Sequence, residues 1–203
     1  MIGTLYIISA PSGAGKTSLV NALVGTVPGI ALSISHTTRP QRANELDGEH
    51  YFFVDEATFS AMTDAGEFLE YAEVFGNRYG TAREPVERQL KEGIDVILEI
   101  DWQGAHQVRD AISEAVSVFV LPPSRWELER RLRSRGQDPE AVIARRMREA
   151  VNEISHHAEY QYLVVNDAFG HALDELVAVV RARRLRTEVQ CERLAATLDD
   201  LLR

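Results

Sequence analysis

The sequence predicts an α/β fold: a mostly parallel sheet flanked by helices, interrupted by a small inserted lobe. Three observations carry this. The runs TLYIIS (Thr4 to Ser9), DVILEI (Asp95 to Ile100) and VSVFVL (Val116 to Leu121) are apolar on successive residues, as strands buried on both faces of a parallel sheet should be. Helical patterns separate those runs. Residues 36 to 93 have a different texture, with short strands, turn-rich loops and mixed charge.

Taken in order, the first strand leads into a helix from about Lys16 to Val24, and Ala31 to Ser35 is a further extended run. Tyr51 to Val54 is a short strand. Asp55 caps a helix reaching about Asp64. Leu69 to Phe75 is extended, Asn77 to Gly80 turn-rich, and Pro85 suits the first position of a helix that stops at Gly93. After Asp95 to Ile100 a helix runs from about Gly104 to Ile112. Pro122-Pro123 closes the third long strand, and Ser124 with Glu127 forms a capping box for the next helix. Asp138-Pro139 opens another helix, Tyr162 to Asn166 is the last strand, and from about Ala172 the chain reads as helix nearly to its end. The first part of that helix should cover the core. Its leucine-bearing overhang is where a homo-oligomer would pack. The sheet and its covering helices take in about 1–34, 94–121 and 151–203, the inserted lobe about 35–93, and an arginine-rich helical segment about 122–150.

The chain has 203 residues, of which 45% are hydrophobic and 26% charged, which suits one globular domain with a core of ordinary size. Its single cysteine, Cys191, leaves no intramolecular disulfide and fits a reducing, cytoplasmic setting. Met1 to Ala10 is apolar but carries no basic residue before Lys16, so it reads as a buried strand rather than a secretory signal. No stretch approaches the ~20 apolar residues of a membrane span. A net charge of −9 disfavours a nucleic-acid partner. The charge is uneven, however: eight arginines fall between Arg125 and Arg148 in a chain whose only lysines are Lys16 and Lys91. Local positive charge on an acidic chain suggests a small polyanionic ligand.

The strongest motif is Ala10-Pro11-Ser12-Gly13-Ala14-Gly15-Lys16-Thr17, directly after the first strand. It follows the P-loop pattern G-x-x-x-x-G-K-[ST] with Ala10 in place of the first glycine. Glycines let the backbone curl until successive N–H groups face one anion, and the following helix turns its positive end toward the same anion. Lys16 can reach β- and γ-phosphates, and the Thr17 hydroxyl can ligate Mg²⁺.

From Thr37 the chain reads TTRPQRANELDGEHYFFV, and further stretches read EFLEYAEVFGNRYGT, LEIDWQG, RLRSRG and VND. With APSGAGKT, this combination covers essentially the whole chain and resembles the bacterial guanylate kinases. The resemblance implies ATP and GMP as substrates, with Mg²⁺, and names positions. Arg39, Arg42, Tyr51 and Tyr79 match those that hold the GMP phosphate. Ser35, Glu70, Thr81 and Asp101 match those that read guanine, and Glu45 one that lines the same lobe. Thr81 stands for a serine and keeps the hydroxyl; Glu99 stands where aspartate is common. Arg131, Arg135 and Arg146 match arginines of a mobile lid that closes over ATP, with Gly136 a hinge. Asn166, after the last strand, matches a position near adenine. Base chemistry agrees independently: guanine offers N1–H and N2–H₂ side by side, which one carboxylate such as Glu70 can accept, and adenine offers no such pair.

Asp101 or Glu99, at a strand's C-terminal end, is the candidate to hold Mg²⁺ through water, and Asp101 can also cap the following helix. Arg125, Arg130, Arg133 and Arg148 read as a solvated helix face paired with glutamates. The six histidines show no metal-ligand spacing, and Trp102 and Trp126 read as packing residues. Two other functions share these motifs. One is a non-catalytic guanylate-kinase-like binding module, disfavoured by retention of Lys16 and the lid arginines. The other is a related P-loop kinase such as a ribose bisphosphate kinase, disfavoured by the guanine-reading set.

Overall fold

The computed structural model describes residues 3–74, 76–134 and 139–203. Five parallel strands form the main sheet: β1 (Leu5–Ser9), β2 (Ile30–Leu32), β7 (Asp95–Glu99), β8 (Val116–Leu121) and β9 (Tyr162–Val165), in the order β2-β7-β1-β8-β9. Central β1 is buried along its whole length. Its alternation sends Tyr6 and Ile8 into one core and Leu5 and Ile7 into the other. The first core is closed by Leu19, Val20 and Leu23 of α1 (Lys16–Thr26) and by Leu176, Val177 and Val180 of α7 (Phe169–Arg184). The second is closed by Val86 and Leu90 of α3 (Arg83–Lys91) and by Ala105 and Val108 of α4 (Trp102–Ala111). Strand order reverses direction between β1 and β8, which makes the C-terminal ends of these strands the expected ligand crevice.

The inserted stretch builds a second sheet of four strands: β3 (His36–Thr37), β4 (Phe52–Phe53), β5 (Phe68–Val74) and β6 (Asn77–Ala82), ordered β4-β3-β6-β5. Asp55 caps α2 (Glu56–Asp64) by accepting from the Thr58 N–H at 2.7 Å, as its position suggested. Asn77 to Gly80 corrects the sequence reading. It is not a turn but the start of β6, paired antiparallel with both β5 and β3. The turn is Gly76, and cross-strand pairing overrides the low strand propensity of Asn77 and Gly80. The run from Ala31 to Ser35 also divides: β2 ends at Leu32 and β3 begins at His36 in the other sheet. Helix α3 starts at Arg83, so Pro85 is its third residue, still in the first turn where its missing N–H costs nothing.

Helices α5 (Arg125–Ser134) and α6 (Glu140–Ser155) pack on each other through their own cluster of Leu128, Leu132, Ile143, Met147 and Ala150. Only half of the expected capping box forms: Ser124 Oγ accepts from the Glu127 N–H at 3.1 Å, while the Glu127 carboxylate turns to Arg130 and Arg131. Trp126 is 70% exposed rather than packed. The long C-terminal helix is broken into α7, α8 (Thr187–Arg193) and α9 (Ala195–Leu201). Arg184 pins the end of α7 to buried Asp95 at 2.7 Å and to the Pro28 carbonyl at 2.9 Å. Extended backbone at Arg186 then redirects the chain. Cys191 is exposed on α8, and Leu185, Leu194 and Leu201 of the overhang are exposed. No helix among the described residues is long and apolar enough to cross a membrane.

Candidate active site

One cavity of about 280 Å³ lies at the C-terminal ends of β1 and β7. Its wall joins the loop after β1 (Ala10, Pro11, Ser12, Gly13, Gly15, Lys16, Thr17) to the second sheet (Ser35, Tyr51, Glu70, Tyr79) and the end of β7 (Glu99, Ile100, Asp101). Gly13 and Gly15 hold φ of 97° and 91°, a region open to glycine and rarely to other residues. A Cβ on Gly13 would also press on Leu128 and Leu132 of α5, and one on Gly15 on the Asn166 amide. These glycines therefore let the loop curl and let its neighbours close in. No side chain caps α1 at Gly15, so its first N–H groups stay available to an anion. Lys16 Nζ donates to the Ile100 carbonyl at 3.2 Å, and Thr17 Oγ1 donates to Glu99 Oε1 at 2.5 Å.

On the other side, Glu70 is 3% exposed, and its Oε1 accepts from Thr81 Oγ1 at 2.6 Å. Thr81 Oγ1 lies 3.3 Å from Ser35 Oγ. Residues 35, 70 and 81, from three stretches of chain, so form one hydrogen-bonded row. A β-bulge aims the carboxyl. Pairing steps from Phe68↔Ala82 to Glu70↔Thr81, so Leu69 is the extra residue. Strand alternation breaks there, and Phe68, Leu69 and Glu70 are all buried. Burial raises the Glu70 pKa to about 7, opposed by the Thr81 hydroxyl and reinforced by Asp101.

Arg39 forks onto Glu45, with Nη2–Oε1 at 2.7 Å and Nη1–Oε2 at 3.0 Å, and lies beside the Tyr51 and Phe53 rings. These bonds hold the Glu45 carboxyl below its usual range. Tyr51 and Tyr79 line the cavity edge to face, 5.8 Å apart. Arg39, Arg42 and Glu45 do not line the cavity; Arg42 is exposed, and its backbone N–H donates to Glu45. Asp101 caps α4 by accepting from the Gly104 N–H at 3.0 Å and also accepts from Gln103. Of the duties expected of a strand-end acid, helix capping is found at Asp101, while Glu99 bonds the Thr17 hydroxyl.

Two further expected residues, Asn166 and Arg131, bond the P-loop side of the site. Buried Asn166 donates from Nδ2 to the Ala14 carbonyl at 2.7 Å, bracing the loop from the end of β9. Arg131 donates to the Asn166 carbonyl at 3.0 Å and is oriented by Glu127 at 2.7 Å. Arg146 is half-buried on α6 and does not line the cavity. Arg135 and Gly136 lie outside the described residues. Arg130 and Arg133 form surface ion pairs with glutamates, as their spacing suggested. The apolar lining residues Ala72, Val74 and Ile100 escaped the sequence reading, as did two residues of more consequence. Glu153 of α6 lines the cavity, and its signal was an acid continuing the inward apolar period Ile143, Met147, Ala150. Gly104 lies against Glu70: a Cβ there would stand 2.3 Å from Glu70 Oε2. No local pattern marks that contact.

The family model described as guanylate kinase matches residues 2–183. The chain belongs to the guanylate kinase family. It is 60% identical over 202 residues to the guanylate kinase of Alkalilimnicola ehrlichii, covering 100% of both chains. It is 58% identical to that of Methylococcus capsulatus and 56% to that of Escherichia coli K12, each match covering 98% of both chains. The crystal structure of guanylate kinase from Anaplasma phagocytophilum superposes with a TM-score of 0.77 at 34% identity, covering 91% of this chain and 88% of that one. The match to the Alkalilimnicola ehrlichii protein spans the length of the chain, so it takes in α8 and α9 beyond the segment the family model matches.

Proposed function

We propose that the chain transfers the γ-phosphoryl group of ATP to GMP, giving ADP and GDP. The observation that carries this is the single cavity whose wall holds a P-loop at one end and a buried carboxyl, Glu70, at the other. The curled backbone from Gly13 to Thr17 would take the ATP phosphates, with Lys16 leaving the Ile100 carbonyl for them. Glu70, with Ser35, Thr81 and Asp101 around it, would accept from guanine N1–H and N2–H. Tyr51, Tyr79, Arg39 and Arg42 would hold the GMP phosphate, Arg39 exchanging the Glu45 fork for phosphate oxygens of similar geometry. The acceptor oxygen is already anionic and needs no general base, so positioning and charge stabilisation supply the rate. In this reading residues 35–93 are the GMP-binding lobe and 122–150 the lid. Arg131, Arg135 and Arg146 bring positive charge to the transferred group as the lid closes over ATP, and Asn166 supports the adenine end.

The donor set near Thr17 suits a hard divalent cation, since hydroxyl and carboxylate oxygens are what Mg²⁺ prefers. Thr17 and Glu99 would hold it, because Asp101 is engaged in capping; when bound it supplies charge neutralisation between the phosphates. The single exposed Cys191 supports a reducing cytoplasmic setting. The exposed leucines of the overhang are where a homo-oligomer would form, and light scattering reports that directly. The function itself is tested by coupled ADP release with ATP and Mg²⁺, offering GMP, AMP, UMP, CMP and dTMP separately. Turnover confined to GMP is the expected result. Turnover with another monophosphate overturns the base-reading set, and none with any, despite GMP binding, turns the protein into a binding module.

A further inference from the structure

Among the described residues of α5 and α6, Glu153 alone lines the cavity. Its Oε2 is buried and has no hydrogen-bond partner, an expensive arrangement for a carboxylate unless charge or a ligand answers it. The side chain does not sit there by slackness of the helix. Two residues past Glu153's successor, His156 stacks its ring flat on Trp102, with centroids 3.7 Å apart and planes 5° from parallel. His156 also bonds Glu159 at 2.6 Å, and Glu159 bonds Arg109 of α4 at 2.8 Å. The base of α6 is therefore fixed to α4, whose cap is Asp101. Charges around Glu153 come from both sides. Burial lifts its pKa to about 7, the Lys16 ammonium and the Ser12 N–H of the P-loop pull it down, and Asp101 and Glu149 push it up.

We propose that Glu153 is a positioning residue for nucleotide binding: presented by the anchored base of α6, its carboxyl lines the same cavity as Ser12 and Lys16 of the P-loop and orients that loop and its ammonium. Helix α6, which also carries Arg145, Arg146 and Arg148, is thereby registered on the cradle before ATP arrives. This rests on the phosphate-cradle reading, so Lys16→Ala serves as the control. ADP affinity by calorimetry and KM for each substrate are measured in Glu153→Ala, Glu153→Gln and Lys16→Ala. Glu153→Ala is expected to weaken ADP and raise the ATP KM about tenfold, with the GMP KM within twofold of the parent. Glu153→Gln keeps an acceptor for the Ser12 N–H but no charge for Lys16, and should fall between at about threefold. Where the alanine variant does not fold, the glutamine variant decides. Wild-type ADP affinity and ATP KM in the glutamine variant and in any folded alanine variant, with Lys16→Ala impaired, overturn the role of Glu153. An equal rise in the GMP and ATP KM does the same, because it marks a general structural effect. Unchanged ADP affinity in Lys16→Ala sinks the cradle reading itself.

Discussion

The two ends of the cavity are built by different means. The P-loop end is made of backbone: curled glycines, the open first turn of α1, and one lysine, all on a contiguous run from Ala10 to Thr17. The opposite end, which we propose reads guanine, is made of side chains, Ser35, Glu70 and Thr81, which meet only because β3, β5 and β6 are brought together and a bulge turns Glu70 inward. Backbone recognition tolerates sequence change, which is why Ala10 can replace a glycine without opening the cradle. An arrangement of side chains does not, and its supports reach to residues such as Gly104, packed directly against Glu70.

The largest expected effect separates the ends from the phosphate side. Lys16→Ala should lower kcat by about 10³-fold or more, since it removes the cationic group placed for the transferred charge, while GMP binding by calorimetry stays within a few-fold. Loss of GMP binding as well would join the two ends into one unit. From the guanine side, Gly104→Ala places a methyl on a Glu70 that has nowhere to retreat. It should raise the GMP KM about tenfold and leave the ATP KM alone, an effect of one to two kcal/mol typical of a displaced buried partner. Equal effects on both substrates would show that the glycine serves the fold rather than the pocket.

A smaller effect follows from pH. The Glu70 pKa stands at about 7, above its ordinary 4.5, and in the proposed reading guanine is bound by the ionised form. GMP affinity should therefore fall as pH drops below about 7, reaching roughly a tenth of its limit one unit lower. The free protein has the opposite sign. Its folded state favours the protonated carboxyl, so this contribution to stability is complete below pH 4.5 and is lost as pH rises through about 7. Thermal melts of the ligand-free protein between pH 5 and 8 should show Tm falling through this contribution, and Glu70→Gln should remove it. A Glu70→Gln variant with an unaltered pH profile would assign the titration elsewhere.

This contrast also decides what could be read from sequence. The buried strands TLYIIS, DVILEI and VSVFVL, the P-loop and the Asp55 cap are local patterns, and each is found where expected. The resemblance supplied the distant set, Ser35, Glu70, Tyr79 and Thr81, which no spacing rule would collect. What stayed hidden depended on tertiary contact: the β6 strand at Asn77 to Gly80, set by pairing on both edges; the break after Arg184, set by its bonds to Asp95 and Pro28; and Gly104 behind Glu70. Glu153 lay between these cases, since its helical period was legible but its neighbours Ser12 and Lys16 were not.

The division of the cavity is tested most directly by steady-state kinetics of Glu70→Gln with each substrate varied in turn. An amide offers guanine one acceptor and one clashing N–H₂, so the GMP KM should rise about 10–100-fold while the ATP KM stays within twofold. A parallel rise in both, or no rise in either, would contradict the assignment of base recognition to Glu70.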